Sequence, residues 1–306
     1  MAAVDHATVI RPPRGWQLIN ARELWQYREL LCFLTWRDVK VRYKQTVLGA
    51  AWAVLQPALM MIVFTIFFRR MAGVDSGGWP YPLFAFAGLL PWTFFATAIA
   101  SAGQSVVGSE RLITKIYFPR LAIPFAAVGA ALVDFVVAFG MLAALMAWYR
   151  VPPTWSLLLV PVTVLLLSLA ALGVGTLLAA LNVAYRDFRY VIPFLVQVWM
   201  FATPTVYMQP KAQTAAAQNA PAASDISAAE IASSTAASNP HDGGSAWGVL
   251  LNFNPLSGIV AFFRACVLGG PLPWSMVSWS IVEVSAVCLA GCFYFRRVED
   301  SFADII

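Results

Sequence analysis

Charge is what this sequence lacks. Of its 306 residues, 11% are Asp, Glu, Lys or Arg, against about 25% in an ordinary soluble domain. A chain this poor in charge cannot clothe a surface in contact with water, which excludes a water-soluble enzyme as the whole protein. Disorder is excluded on the same grounds, except locally. Histidine is nearly missing: His6 and His241 are the two, both in polar stretches. The four cysteines, at 32, 266, 288 and 292, make no disulfide framework, and no His/Cys/Asp cluster has metal-ligand spacing. Cys288 and Cys292 stand one helical turn apart and read as filler in a helix core. There is no G-x-x-x-x-G-K-[ST], so the chain has no phosphate-cradling loop and cannot hydrolyse ATP by that route.

What is there is apolar: 60% of the residues, with a mean hydropathy of +0.72. A membrane helix needs about 20 apolar residues to cross about 30 Å. Six runs meet or approach that length: Val47 to Phe68, Leu83 to Gly103, Leu121 to Trp148, Trp155 to Leu181, Val191 to Tyr207 and Trp274 to Phe295. Leu256 to Leu268 is too short to cross straight and suits a re-entrant or interfacial piece. The expected fold is an all-α membrane protein. It has six transmembrane helices, an N-terminal amphipathic interface helix and a re-entrant segment before the last span.

Six spans put both termini on one side, and the basic residues choose it. Residues 1–46, 104–120, 182–190 and 296–306 carry 15 of the 20 Lys and Arg. By the positive-inside rule both termini are cytoplasmic. The net charge of +5 is thus spent on orientation and gives no reason to invoke nucleic acid. Residues 1–46 are too long and too charged for a cleavable signal peptide. The chain divides into a cytoplasmic N-terminus (1–46), five spans (47–207), an extracytoplasmic loop (208–250), an outer-mouth segment (251–273) and the last span with the C-terminus (274–306).

Three segments outside the spans carry patterns of their own. Residues 20–44 read as the interface helix, with Asn20 as N-cap and Glu23 reaching back to it. Leu24, Tyr27, Leu30, Leu31 and Leu34 share a face, while Trp25 and Trp36 suit a headgroup boundary. This helix either rests on the membrane or also docks a cytoplasmic partner. Arg37, Lys40, Arg42 and Lys44 follow, and anionic lipid would suffice to explain them. Residues 108–120 form a basic loop. It is either an ordinary connector or a short helix that inserts Leu112, Ile113 and Ile116 into a partner's groove. Residues 208–246, rich in Ala, Ser, Thr, Gln and Asn, read as a mobile extracytoplasmic loop. Inside the spans, Asp134 and Glu283 each cost ~2.5–3.5 kcal/mol to insert. They serve either as structural partners of other polar groups or as substrate or proton contacts.

The ordered motifs resemble one family. They are Leu112-Ile113-x-Lys115-x-x-Phe118-Pro119-Arg120 with Pro124, Leu48-Gly49-x-x-Trp52 with Pro57, and Gly88-Leu89-x-Pro91-Trp92 with Phe94-Phe95. Tyr185-Arg186-Asp187, Thr203-Pro204-x-x-Tyr207, Asn254-Pro255 and Phe302-Ala303-Asp304 continue the series. Together they resemble the membrane (permease) subunits of type-2 ABC transporters that export lipid-linked polysaccharide: O-antigen, capsule and teichoic-acid exporters. Residues 208–246 are longer than that family leads one to expect.

The resemblance implies a homodimer in the bacterial inner membrane with two copies of a cytoplasmic ABC ATPase. ATP and Mg would sit on that partner, with no cofactor or metal bound directly by this chain. The coupling helix would lie at 109–119, with Glu110, Arg111, Leu112, Ile113, Lys115, Phe118 and Pro119 at the ATPase. The conduit would run between the first and fifth spans, past Trp52, Phe64, Phe67, Phe194, Trp199, Phe201 and Tyr207; ordinary packing is the alternative for each. Arg37, Arg42 and Lys44 would meet the diphosphate of an undecaprenyl-type carrier. Other readings are an ABC permease for a drug or lipid, a membrane-embedded glycosyl- or acyltransferase, for which no catalytic constellation stands out, and a scaffold.

Overall fold

The computed structural model describes residues 25–44, 51–67, 78–115, 118–185, 187–203, 254–299 and 302. Among them every regular element is helical. Four stretches are long and apolar enough to cross a membrane: Tyr81–Gly108, Ala122–Trp148, Trp155–Ala184 and Trp274–Val298. They coincide with the expected second, third, fourth and sixth spans. Overlapping the expected first and fifth spans are shorter apolar helices, Val54–Phe67 and Phe188–Ala202; Val47 to Ala50, Phe68 and Pro204 to Tyr207 lie outside the described residues. So do Asn20, Glu23, Leu24, Ile116 and the whole of 208–246.

In chain order the helices are α1 (Arg28–Tyr43), α2 (Ala51–Phe64), α3 (Tyr81–Gly108), α4 (Glu110–Ile113), α5 (Ala122–Trp148), α6 (Val160–Ala184), α7 (Phe188–Ala202), α8 (Pro255–Leu268) and α9 (Trp274–Val298). A 3₁₀ turn, Trp155–Leu159, leads into α6. Helix α3 is the centre of the bundle, buried along most of its length. Helices α5 and α6 flank it, α9 packs on α6, and α1 packs on α5. The Gly88-Leu89-x-Pro91-Trp92 motif with Phe94 and Phe95 is buried in α3, so its residues serve packing.

Small residues set the closest crossing. A Cβ on Gly173 of α6 would lie 2.6 Å from the Cα of Cys288 in α9, and one on Gly291 would run into the Gly173 carbonyl. Only glycine lets these two backbones approach so closely. In a membrane, where apolar burial offers little between helices, such contacts drive association.

The buried residues form two clusters. The larger runs through the helix centres and includes α8. The smaller gathers the helix ends that carry the basic residues: Leu34 of α1, Val106 of α3, Ile113 of α4, Phe118, Ala122 of α5, Val183 of α6, Phe295 of α9 and Phe302. At the opposite end Trp148, Trp155 and Trp274 are exposed, as befits a membrane–water boundary.

Candidate functional site

The loop expected to couple to a partner is built on the smaller cluster. Within 109–119 the helix is one turn, Glu110–Ile113. Ser109 occupies its N-cap, and the Thr114 N–H closes it onto the Glu110 carbonyl. Glu110 in the first turn suits the positive end of the helix dipole. Thr114 and Lys115 form a turn, and Phe118 to Arg120 are not helical. Of the residues expected to face an ATPase, Glu110, Arg111 and Lys115 are exposed and Leu112 is half-buried. Ile113, Phe118 and Pro119 turn inward and are buried. The apolar half of the motif therefore seats the loop on its own chain, and the charged half faces out.

Two residues that the motif reading had not placed at the site complete the seat. The Arg120 guanidinium donates to the Glu299 carbonyl at the end of α9. Arg296 pairs with Glu299 at 3.1 Å. Phe302 is fully buried, its ring edge-to-face on Phe295 at 5.2 Å. Both residues stand inside quoted motifs, but nothing in their local sequence says that the two motifs meet.

Helix α1 packs one side against α5. Its Leu34 and Val39 are buried, whereas Trp25, Phe33 and Trp36 are exposed on the far side. Its C-terminal end climbs along α5. Arg42 donates to one oxygen of Asp134, and the Tyr43 hydroxyl donates to the other. The second Arg42 nitrogen reaches the Ser101 hydroxyl of α3 at 3.3 Å. Asp134 lies about 18 Å along α5 from Ala122, at ~1.5 Å per residue, well inside a stretch able to cross a bilayer. Its side chain is 18% exposed and that of Arg42 32%.

This arrangement answers two open questions. Asp134 is a structural partner of Arg42. Arg42, in turn, is engaged within its own chain, because an unpaired charge at that depth is costly. Arg37 pairs with its neighbour Asp38 at 2.8 Å, both partly exposed, a pairing that such sites give up cheaply. Lys44 is exposed. Glu283 accepts from the Trp279 indole at 2.8 Å. Its other oxygen is buried with no hydrogen-bond partner among the described residues.

The aromatic residues divide. Trp52, Phe67, Phe194 and Phe201 are more than half exposed on α2, on the turn that continues it, and on α7. Phe64 is half-buried against the main core. Trp199 turns inward: its ring meets Phe95 edge-to-face at 5.2 Å, and its Nε1 donates to Asn254 Oδ1 at 3.1 Å. Tyr207 lies outside the described residues. Helix α7 buries one residue, Ile192, and packs Phe188, Val196, Trp199 and Met200 partly on the core, so much of its apolar surface is left uncovered by the other described residues.

Asn254 ties α7 to α8. Its Oδ1 also accepts the Leu256 N–H, as an N-cap does. Its Nδ2 donates to the Thr203 hydroxyl at 2.9 Å and the Ala202 carbonyl at 3.1 Å. The Thr203-Pro204 and Asn254-Pro255 motifs are thus two halves of one joint.

Residues 29–217 match the family described as ABC-2 type transporter, which is more than half of the chain. The chain belongs to that family, and with its apolar helices it is a multi-pass membrane protein. It is 29% identical over 286 residues to the O-antigen export system permease protein RfbA of Myxococcus xanthus, covering 93% of this chain and 98% of that one. It is 23% identical over 279 residues to a protein of the same name from Klebsiella pneumoniae, covering 91% and 95%.

Proposed function

We propose that this ABC-2 type transporter chain is the channel-forming permease of a lipid-linked polysaccharide exporter. The observation that carries the reading is the end-to-end similarity to permeases named for O-antigen export. A separate ABC ATPase drives it. Two copies of each subunit assemble in the bacterial inner membrane, with both termini of this chain cytoplasmic. The four long helices with α2 and α7 make six spans, and α8 is the re-entrant piece at the outer mouth.

Several features support the parts of this reading. The exposed apolar faces of α2 and α7 suit a conduit formed between two copies. Exposed Trp52, Phe67, Phe194 and Phe201 offer sugar rings flat, weakly directional contact, as a sliding chain requires. Glu110, Arg111 and Lys115 form the face that meets the ATPase. Lys44, with Arg37 released from Asp38, supplies cations for a diphosphate at the cytoplasmic entrance; Arg42 stays with Asp134.

Deletion of the gene tests the reading. The expected result is surface polysaccharide lost and lipid-linked polymer held inside the inner membrane, both reversed by the gene in trans. Normal surface polysaccharide in a strain without a second exporter contradicts it.

A further inference from the structure

We infer that Asp134 is a positioning residue that fastens α1 to the middle of α5, so that the two helices move as one body during transport. The movement it constrains rests on the export reading above; the attachment itself does not.

The attachment has two points. At the first, Thr35 of α1 sits over Gly129 of α5, where a Cβ would come within 3.0 Å of the Thr35 methyl. At the second, consecutive α1 residues grip both oxygens of Asp134: Arg42 holds one and Tyr43 the other. Between the points the two chains advance in the same direction, about 10 Å along α1 and about 8 Å along α5. One point alone would leave α1 free to swing. Two fix its rotation and its rise together.

The chemistry makes the second point hard to release. Shifting α1 by one residue against α5 would part a largely buried charge pair and leave both partners without a counter-ion. The close contact at Gly129 resists gradual deformation for a different reason: packed interfaces change in steps. A surface amphipathic helix held only by Leu34 and its neighbours would slide. This one is bolted. A push arriving at α1 is therefore delivered to α5, and through the Arg42–Ser101 contact to α3, as well as to the span that follows α1 in sequence.

A disulfide tests the claim. A Cβ at Gly129 would lie 3.7 Å from that of Thr35, within the roughly 3.5–4.5 Å that a disulfide needs. Thr35→Cys also removes the methyl and hydroxyl that crowd the site. The paired variant Thr35→Cys/Gly129→Cys is made in a chain whose Cys32, Cys266, Cys288 and Cys292 are replaced by Ser. Bond formation in native membranes is read by loss of maleimide labelling. The expected result is rapid bond formation, with export in the oxidised cells within about twofold of that in reduced cells. Failure of the bond to form overturns the contact. Export lost at least tenfold on oxidation and restored by reductant shows that α1 must move against α5, and overturns the one-body claim. Export absent from the unsubstituted chain would count against the export reading alone. The rate of bond formation needs no export: Asp134→Ala should slow it at least tenfold, and Arg42→Asp/Asp134→Arg should restore it. An unchanged rate in Asp134→Ala overturns the role given to Asp134.

Discussion

Asn254 shows how much one side chain can hold. It accepts from the Trp199 indole and the Leu256 N–H, and donates to Thr203 and the Ala202 carbonyl. Asn254→Ala leaves these groups without their partner, at a cost of about 1–3 kcal/mol in total where water cannot replace it. The expected outcome is a lower melting temperature of the purified protein. Asn254→Asp keeps the acceptor and should fall between. Phe118 shows the opposite lesson. Its motif reads as a contact for a partner, but the ring is 5% exposed in its own chain's cluster. Phe118→Asp buries a carboxylate without a partner and should lower the amount of folded protein in the membrane, measured by fluorescence-detected size exclusion. The sequence shows that Phe118 is apolar and next to a proline. It cannot show which of two apolar surfaces the ring meets. Asp134 was legible as a costly charge, but its partner stands 92 positions away and leaves no periodic trace.

At the scale of elements, the long spans were legible because one composition rule governs them. A run of apolar residues near 20 has few other homes, and four such helices stand where their runs predict. The helix α4 was less legible. Its one turn lies on a seat assembled from α1, α3, α5, α6, α9 and Phe302. The outward face of α4 yields a separable prediction. Arg111→Glu with Lys115→Glu should cut co-purification of an ABC ATPase at least tenfold while insertion and melting temperature stay unchanged, because both side chains are exposed. Equal co-purification would place the docking surface elsewhere. The α6–α9 crossing gives a second. Gly291→Ala would drive a methyl into the Gly173 carbonyl and to within 2.9 Å of the Thr176 hydroxyl. Overpacking of this kind costs about 1–3 kcal/mol, read as a lower melting temperature. Gly140→Ala, where a Cβ meets nothing within 4 Å, is the control and should melt as the parent does.

The whole molecule is one firmly packed bundle with two loosely held helices on it. Helix α3 is the buried axis; α2 and α7 carry apolar faces that the other described residues do not cover. Part of that imbalance is visible in the sequence: α7 gathers Arg189 and Gln197 on one side and leaves a broad apolar face over the rest, while burying Ile192 alone among its residues. The proposed conduit between two copies would cover these faces. The central claim is export of a lipid-linked polysaccharide, and reconstitution tests it most directly. The purified chain and its ATPase are placed in liposomes with a fluorescent lipid-linked glycan in the outer leaflet, the side bearing the ATPase. The account predicts ATP-dependent loss of glycan from the reach of an external glycosidase, abolished by an ATPase-dead partner. Glycan that stays fully accessible, with the ATPase bound and hydrolysing ATP, would contradict it.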